Sequence, residues 1–226
     1  MNVLLPNIKI EMPPGIYLKD PETSPLGKKI IKNSIILIQD IGFEGFNFKK
    51  LGLQIDSNES SIYRYFESKH KLLIYLTSWY WSWIEYQLVL ETHSINSNEE
   101  KLKKAIEIVT RTTKQDNNYS HIDEVLLNKI IINENSKSYL TKKVDTENKE
   151  GFFMPYRRVV YRISEIILVY NNTYTYSLSL ASSILEGSLY QHFLKSHFKT
   201  ITNCDTKNTP TDFFTNLVLK TIQING

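Results

Sequence analysis

The chain has 226 residues, of which 41% are hydrophobic and 23% are charged, as is usual for a globular protein. Its net charge of +3 is too small to indicate nucleic-acid binding by itself, and its one cysteine, Cys204, excludes an intrachain disulfide. The first residues lack the basic segment and apolar run of a secretory signal, so a cytoplasmic location is expected.

Residues 1–23 are predicted to be an irregular extension, because prolines and Gly15 interrupt any periodic pattern. Ser24 and Pro25 indicate a helix start, with serine as the N-cap and proline in the first helical position. Gly42 is expected to end this helix. Its predicted buried side consists of Ile30, Ile31, Ile35, Leu37 and Ile38.

Residues 42–66 predict a helix-turn-helix. Asn47 can cap a first short helix, and the polar turn 56–58 precedes a second helix from Glu59 to about Phe66. The inward positions are Phe48, Leu51, Gly52 and Ile55 in the first helix and Ile62, Tyr65 and Phe66 in the second. The outward positions of the second helix are Ser60, Ser61, Tyr63 and Arg64. A short helix with such a face fits the DNA major groove.

Two stretches resemble tetracycline-repressor-like (TetR/AcrR) transcriptional regulators. SIYRYFESKHKLL, residues 61–73, is similar to the T-L-Y-x-Y-F-x-x-K-x-x-L-L pattern of that family. Residues 28–52, KKIIKNSIILIQDIGFEGFNFKKLG, resemble its first two helices. The resemblance spans about residues 24–76 and implies an all-α protein, which the absence of sustained strand alternation also favours. It implies a DNA-binding domain at 24–70 and a helical ligand-binding and dimerisation bundle at 71–226.

The turn departs from the family pattern. Asp56, Ser57 and Asn58 stand where the family usually has Gly-Val-Ser; aspartate tolerates the left-handed conformation, and asparagine is a good N-cap. Glu59 replaces a residue that is often lysine. Its carboxylate can accept a hydrogen bond from cytosine N4, or it can simply be solvated at the positive end of the helix. Ser57 and Glu59 therefore leave open the alternative that the helix-turn-helix no longer binds DNA.

The predicted DNA contacts fall into two classes. By resemblance, Tyr63 and Lys69 contact the DNA backbone, and Lys49 is a third phosphate candidate; the two lysines are otherwise solvated surface charges. Arginine can pair with guanine and serine with either kind of base, so the base-edge candidates are Ser60, Ser61 and Arg64. Arg64 is equally suited to a phosphate.

A long helix is predicted over 69–92. Although 72–90 is apolar, Glu85 and Gln87 interrupt it, so a buried helix is favoured over a membrane span. Helical spacing predicts that Trp79, Trp83, Tyr86 and Leu90 face inward, as core or as the lining of a small-molecule pocket. Trp81, on another side, is expected to be exposed or to pack on the first helix.

Further helices are predicted from the capping box at 97–100 and over 122–132, 139–144, 155–170, 174–198 and 210–224. The last two are apolar on one side, and the resemblance implies that they form a four-helix interface between two subunits. The candidate interface residues are Leu178, Ala181, Leu185, Leu189, Phe214, Leu217 and Val218. The alternative is that these helices pack within a monomer.

The sequence contains no phosphate-binding glycine loop, nucleophile elbow or His pair spaced for a metal, so an enzyme, a metal site or a cofactor is not expected. The preferred interpretation is a homodimeric repressor that binds a double-stranded DNA operator and is released by an unidentified small molecule. The main alternative is a helical ligand-binding or sensor protein with a degenerate helix-turn-helix. An α-helical enzyme is a third, weaker possibility.

Overall fold

A computed structural model of the chain describes residue 10 and residues 12–115 and 121–223. The secondary structure of these residues is entirely helical, which confirms the all-α prediction. The chain divides into two compact units, Met1–Tyr80 with Thr113–Met154, and Trp81–Thr112 with Pro155–Gly226. The helices are α1 (Pro25–Gly45), α2 (Phe48–Gln54), α3 (Glu59–Tyr63), α4 (Lys69–Thr92), α5 (Asn98–Thr110), α6 (Glu124–Tyr139), α7 (Val144–Lys149), α8 (Met154–Tyr170), α9 (Ser177–His197) and α10 (Pro210–Thr221).

Helix α1 begins as its sequence predicts. The Ser24 side chain accepts a hydrogen bond from the Gly27 amide, and Pro25 occupies the first helical position. Four isoleucines of its predicted face are buried, whereas Leu37 is only half-buried. Gly42 interrupts the helix and does not end it: its φ of 71° bends the chain, and one more helical turn follows to Gly45.

The described part of the extension, residue 10 and residues 12–23, belongs to the first unit, and residues 1–9 and 11 lie outside the described ranges. Ile16 is buried, and the Leu18 amide donates to the Tyr65 carbonyl oxygen at 2.8 Å. Residues Pro21–Thr23 form a short 3₁₀ turn, and the Glu22 carboxylate lies 2.8 Å from His121 Nε2. The described residues of the extension therefore contact the helix-turn-helix region through Leu18.

Helix α4 departs from the sequence expectation at two positions. Leu90 was expected to face inward but is 49% exposed, because the last turns of α4 are covered on one side only. Trp81 is buried, and its ring packs edge-on against Tyr156 of α8 at a centroid distance of 5.2 Å. None of the helices in the described ranges is long and apolar enough to span a membrane.

The second unit contains α5, α8, α9 and α10. Gly187 of α9 lies against the Phe214 ring of α10, where a Cβ atom would approach that ring to 2.7 Å. Phe214 and Val218 are both buried within the chain. Ala181, Leu185 and Leu189 are buried in the same unit.

The proposed subunit-interface set is corrected by this packing. Five of its seven residues are already inside the protomer and stabilise the second unit itself. Only Leu178 and Leu217 are exposed. The boundaries of the helices also differ locally, since α6 ends at Tyr139 and α7 begins at Val144, in place of the helix expected over 139–144.

Candidate nucleic-acid interface

Helix α3 is built from local signals that its sequence carries. The Asn58 side chain accepts hydrogen bonds from the Ser61 amide at 2.8 Å and from the Ser61 hydroxyl at 2.7 Å. Asp56 in the preceding turn has a φ of 52°, the left-handed conformation expected there. Ile62 is buried, so the helix has one fixed face and one free face.

The free face contains the predicted base-edge candidates. Ser60 and Arg64 are exposed, and Ser61 is half-buried, with its hydroxyl donating to Asn58. Tyr63 is 46% exposed, and its ring packs edge-on against Phe48 of α2 at a centroid distance of 5.0 Å. The phenol is thereby held at the edge of this face.

Helix α2 packs closely behind the turn. The Asn47 side chain caps it by accepting from the Lys50 amide at 2.9 Å. A Cβ atom on Gly52 would lie 2.7 Å from the Ser57 carbonyl oxygen. The Ser57 amide donates to the Gly52 carbonyl oxygen at 2.9 Å. Gly52 therefore permits the close approach of α2 to the turn.

The lysines around this surface differ in their contacts. Lys49 at the start of α2 is exposed. Lys50 donates to the Gly45 carbonyl oxygen at 2.8 Å, and Lys29 of α1 donates to the Ile55 carbonyl oxygen at 2.6 Å. Of these three side chains, Lys49 is the one whose ammonium group is most available to a phosphate.

Lys69 lies in a different environment from the one expected. Its ammonium group is directed into the first unit, 4.7 Å from the centre of the Phe43 ring. It lies within hydrogen-bonding distance of three carbonyl oxygens, those of Phe43 (3.0 Å), Phe46 (3.2 Å) and Glu44 (3.4 Å). An ammonium has three N–H groups, so a phosphate contact would require exchange of one of these bonds.

Two residues of this region carry no sequence signal that could have identified them. Glu134 of α6 accepts a hydrogen bond from the Phe43 amide at 3.1 Å. Lys137, one turn later, bridges the carboxylates of Glu134 at 2.8 Å and Glu44 at 3.0 Å. The hydrogen bond from Lys137 and its charge lower the pKa of Glu44.

The predicted ligand contacts lie on α4. Trp79 and Trp83 are buried, and Tyr86 is half-buried. Glu85, between them, accepts hydrogen bonds from Arg158 Nε at 2.7 Å and Arg162 Nε at 2.8 Å. Among the described residues, no group of three or more His, Cys, Asp or Glu side chains is arranged to hold a metal ion.

Comparison with known proteins identifies the fold. No protein-family model and no curated protein matches the sequence. A TetR-family transcriptional regulator, PfmR from Thermus thermophilus, is similar with a TM-score of 0.56 at 12% identity, over 84% of this chain and 97% of that one. The chain has the TetR-regulator fold. AibR, solved in complex with isovaleryl coenzyme A and operator DNA, is similar with a TM-score of 0.54 at 18% identity, over 84% of this chain and 95% of that one.

The TetR-regulator fold does not by itself define a function. The superantigen PfiT is similar with a TM-score of 0.58 at 14% identity, over 89% of this chain and 97% of that one. At such identities the similarity concerns the fold alone, and function depends on the residues of the site.

Proposed function

We propose that this protein is a sequence-specific DNA-binding transcriptional regulator whose helix α3 enters the major groove. The observation that carries the proposal is the free face of α3. It presents Ser60, Tyr63 and Arg64 to solvent on a helix that is capped by Asn58 and closely supported by α2. The AibR complex with operator DNA supports it, since a protein with this fold binds DNA.

The side chains of this face are suited to different parts of the DNA. Arg64 can donate two hydrogen bonds to guanine, or one or two to a phosphate, and Ser60 and Ser61 can serve either kind of base. Tyr63 and Lys49 are proposed to donate to phosphate oxygens, which fixes the register of the helix without sequence selection. Lys69 is left out of this set because its ammonium group is engaged by backbone carbonyls.

A homodimer is part of the proposal, because one short helix contacts too few bases for a discrete operator. Two copies would place two α3 helices about 34–36 Å apart on successive half-sites. The proposed surface for a second copy consists of exposed apolar side chains on α9 and α10, where Tyr190, Phe213 and Leu217 are 59%, 45% and 40% exposed. This surface replaces the five buried residues of the predicted interface.

Ligand control is the third part of the proposal. AibR was solved with both a small molecule and operator DNA, which supports a ligand for a protein of this fold. A ligand that binds the DNA-incompetent state more tightly would lower operator affinity by that difference, and the regulator is proposed to be a repressor that such a ligand releases. Trp79, Trp83 and Tyr86 of α4 remain the proposed ligand contacts.

A second candidate function is a helical ligand-binding or sensor protein without DNA affinity. It is favoured by Ser57 and Glu59, which depart from the family pattern in the turn and at the first position of α3, and by the inward orientation of Lys69. The two candidate functions differ in DNA binding, which is expected of the regulator alone.

Selection of bound fragments from genomic DNA, including the region upstream of the protein's own gene, tests the proposal. The regulator should recover a short near-palindrome at about 0.15 M salt, where specific binding exceeds non-specific binding by ~10³ or more. Tyr63→Phe should weaken recovery of all fragments, because it removes a backbone contact. Absence of enrichment by a folded wild-type dimer would favour the sensor.

A further inference from the structure

The α1–α2 junction contains backbone groups that helix hydrogen bonding alone does not satisfy. Gly42 has φ and ψ of 71° and 161°, so the helix is broken just before its last turn. The last carbonyl groups of a helix have no partner within it. Those of Phe43, Glu44 and Phe46 lie at this end, and α2 follows two residues after Phe46. How these groups are held determines where α2 begins.

An acidic side chain from α6 holds the amide at the break. Glu134 Oε1 accepts from the Phe43 amide at 3.1 Å, and the same atom lies 3.9 Å from the position a Gly42 Cβ would occupy. Lys137 fixes the carboxylate through Glu134 Oε2 at 2.8 Å and is itself shared with Glu44. A hydrogen bond to an ionised acceptor is about twice as strong as a neutral one.

A basic side chain from α4 holds the carbonyls at the other side of the break. Lys69 lies 3.0–3.4 Å from three of them, and its charge is favourable at the negative end of α1. The Phe43 ring beneath the ammonium adds a cation–π contact at 4.7 Å. Two charged side chains that are distant in sequence thus bind the amide and the carbonyl groups of the five-residue junction Gly42–Phe46.

We propose that Glu134 and Lys69 are positioning residues for DNA recognition, which hold the Gly42–Phe46 junction and thereby the orientation of α2 and α3. This inference rests on the proposed function, since it assigns the two residues a role in operator binding without contact to DNA. Loss of either side chain would displace α3, although the residues on the exposed face of that helix would be unchanged.

Amide hydrogen exchange in the free protein tests the junction without DNA. Glu134→Ala should accelerate exchange of the Phe43 amide by about tenfold or more, the effect of losing a hydrogen bond to a charged group. Glu134→Gln keeps a carbonyl acceptor and should give an intermediate rate. Glu150→Ala, which removes an exposed carboxylate after α7, should leave that rate unchanged. Equal Phe43 exchange in wild type and Glu134→Ala would overturn the proposal.

Operator titration over a range of salt concentrations tests the positioning role. Glu134→Ala and Lys69→Met should lower affinity by about 3- to 30-fold, the range seen for residues coupled to a site without contacting its ligand. The salt slope, which is the slope of the logarithm of the binding constant against the logarithm of the salt concentration, should equal that of wild type, because no phosphate contact is removed. Glu134→Gln should recover part of the affinity.

Two further outcomes would contradict the proposal. A slope reduced by about 0.9 in Lys69→Met would mean that this lysine binds a phosphate. Unchanged affinity in a Glu134→Ala protein with faster Phe43 exchange would mean that the junction does not orient α3. If the wild-type protein bound no DNA, the proposed function would fail together with the positioning role. The exchange response of the free protein would then still show whether Glu134 holds the junction.

Discussion

Replacing Gly52 by alanine tests the close approach of α2 to the turn before α3. The added Cβ atom would lie 2.7 Å from the Ser57 carbonyl oxygen and 3.5 Å from the Glu59 amide nitrogen. Both neighbours are backbone atoms, so the turn must move. Overpacking of this kind costs about 1–3 kcal/mol, and the higher helix propensity of alanine offsets about 0.5–1 kcal/mol. A net loss of stability is expected.

Gly45 at the end of α1 provides a matched control. A Cβ atom there would be 3.5 Å from Ile41 side-chain atoms, which is ordinary van der Waals contact. Gly45→Ala should therefore be neutral or stabilise by up to about 1 kcal/mol through the unfolded state. Thermal unfolding followed by circular dichroism measures both variants, at about 2–4 °C per kcal/mol for a chain of this size. A Gly52→Ala protein that melts at or above the wild-type temperature would refute the close-approach argument.

Three further predictions concern other parts of the chain. Lys49→Ala should reduce the salt slope of operator binding by about 0.9, the effect of one lost phosphate contact; an unchanged slope would remove Lys49 from the interface. Leu217→Lys should produce a folded monomer by light scattering. Val218→Lys, at the adjacent and buried position, should destabilise the second unit by about 4 kcal/mol or more. A Leu217→Lys protein that remains dimeric would exclude the proposed surface. Burial lowers the pKa of His192 below 6.5, although its hydrogen bond to the Thr110 carbonyl oxygen raises it. Below pH 6.5 the folded state then binds fewer protons than the unfolded state, so the contribution of His192 to the free energy of unfolding should be complete above pH 6.5 and decrease as the pH falls below it. Denaturant titrations in which His192→Gln has the same pH dependence as wild type would contradict this.

The helix-turn-helix could be predicted from the sequence because its determinants are local. The caps at Asn47 and Asn58, the left-handed Asp56 and the small Gly52 act within a few residues of their positions in the chain. Such signals depend on side-chain chemistry and helix periodicity, which the sequence contains directly. The outward face of α3 follows from the same periodicity.

The environment of Lys69 could not be predicted, because it depends on residues distant in the chain. The junction that it holds lies 23–26 residues before it, and Glu134 lies 91 residues after Phe43. Gly42 was expected to end α1, yet the added turn after it is what brings the Phe43 and Phe46 carbonyls to the lysine. A family resemblance implied a phosphate contact that this local geometry does not favour.

The apolar faces of α9 and α10 show a second limit of sequence reasoning. Periodicity indicates which residues avoid water, but it does not distinguish burial within one chain from burial between two. Ala181, Leu185 and Val218 are buried within the chain, and the exposed aromatic Tyr190 is absent from the interface that the sequence predicts. Leu90 shows the reverse error, since an apolar residue at the expected spacing remains exposed.

The most direct test of sequence recognition by α3 is the ratio of dissociation constants for a selected operator and a scrambled duplex. It should be measured at one salt concentration for wild type and Arg64→Ala. Wild-type protein should favour the operator by ~10³ or more. Arg64→Ala should weaken operator binding by about 1–3 kcal/mol and bind the scrambled duplex almost as wild type does, if Arg64 contacts a base. A wild-type ratio near one would contradict sequence-specific recognition by this protein.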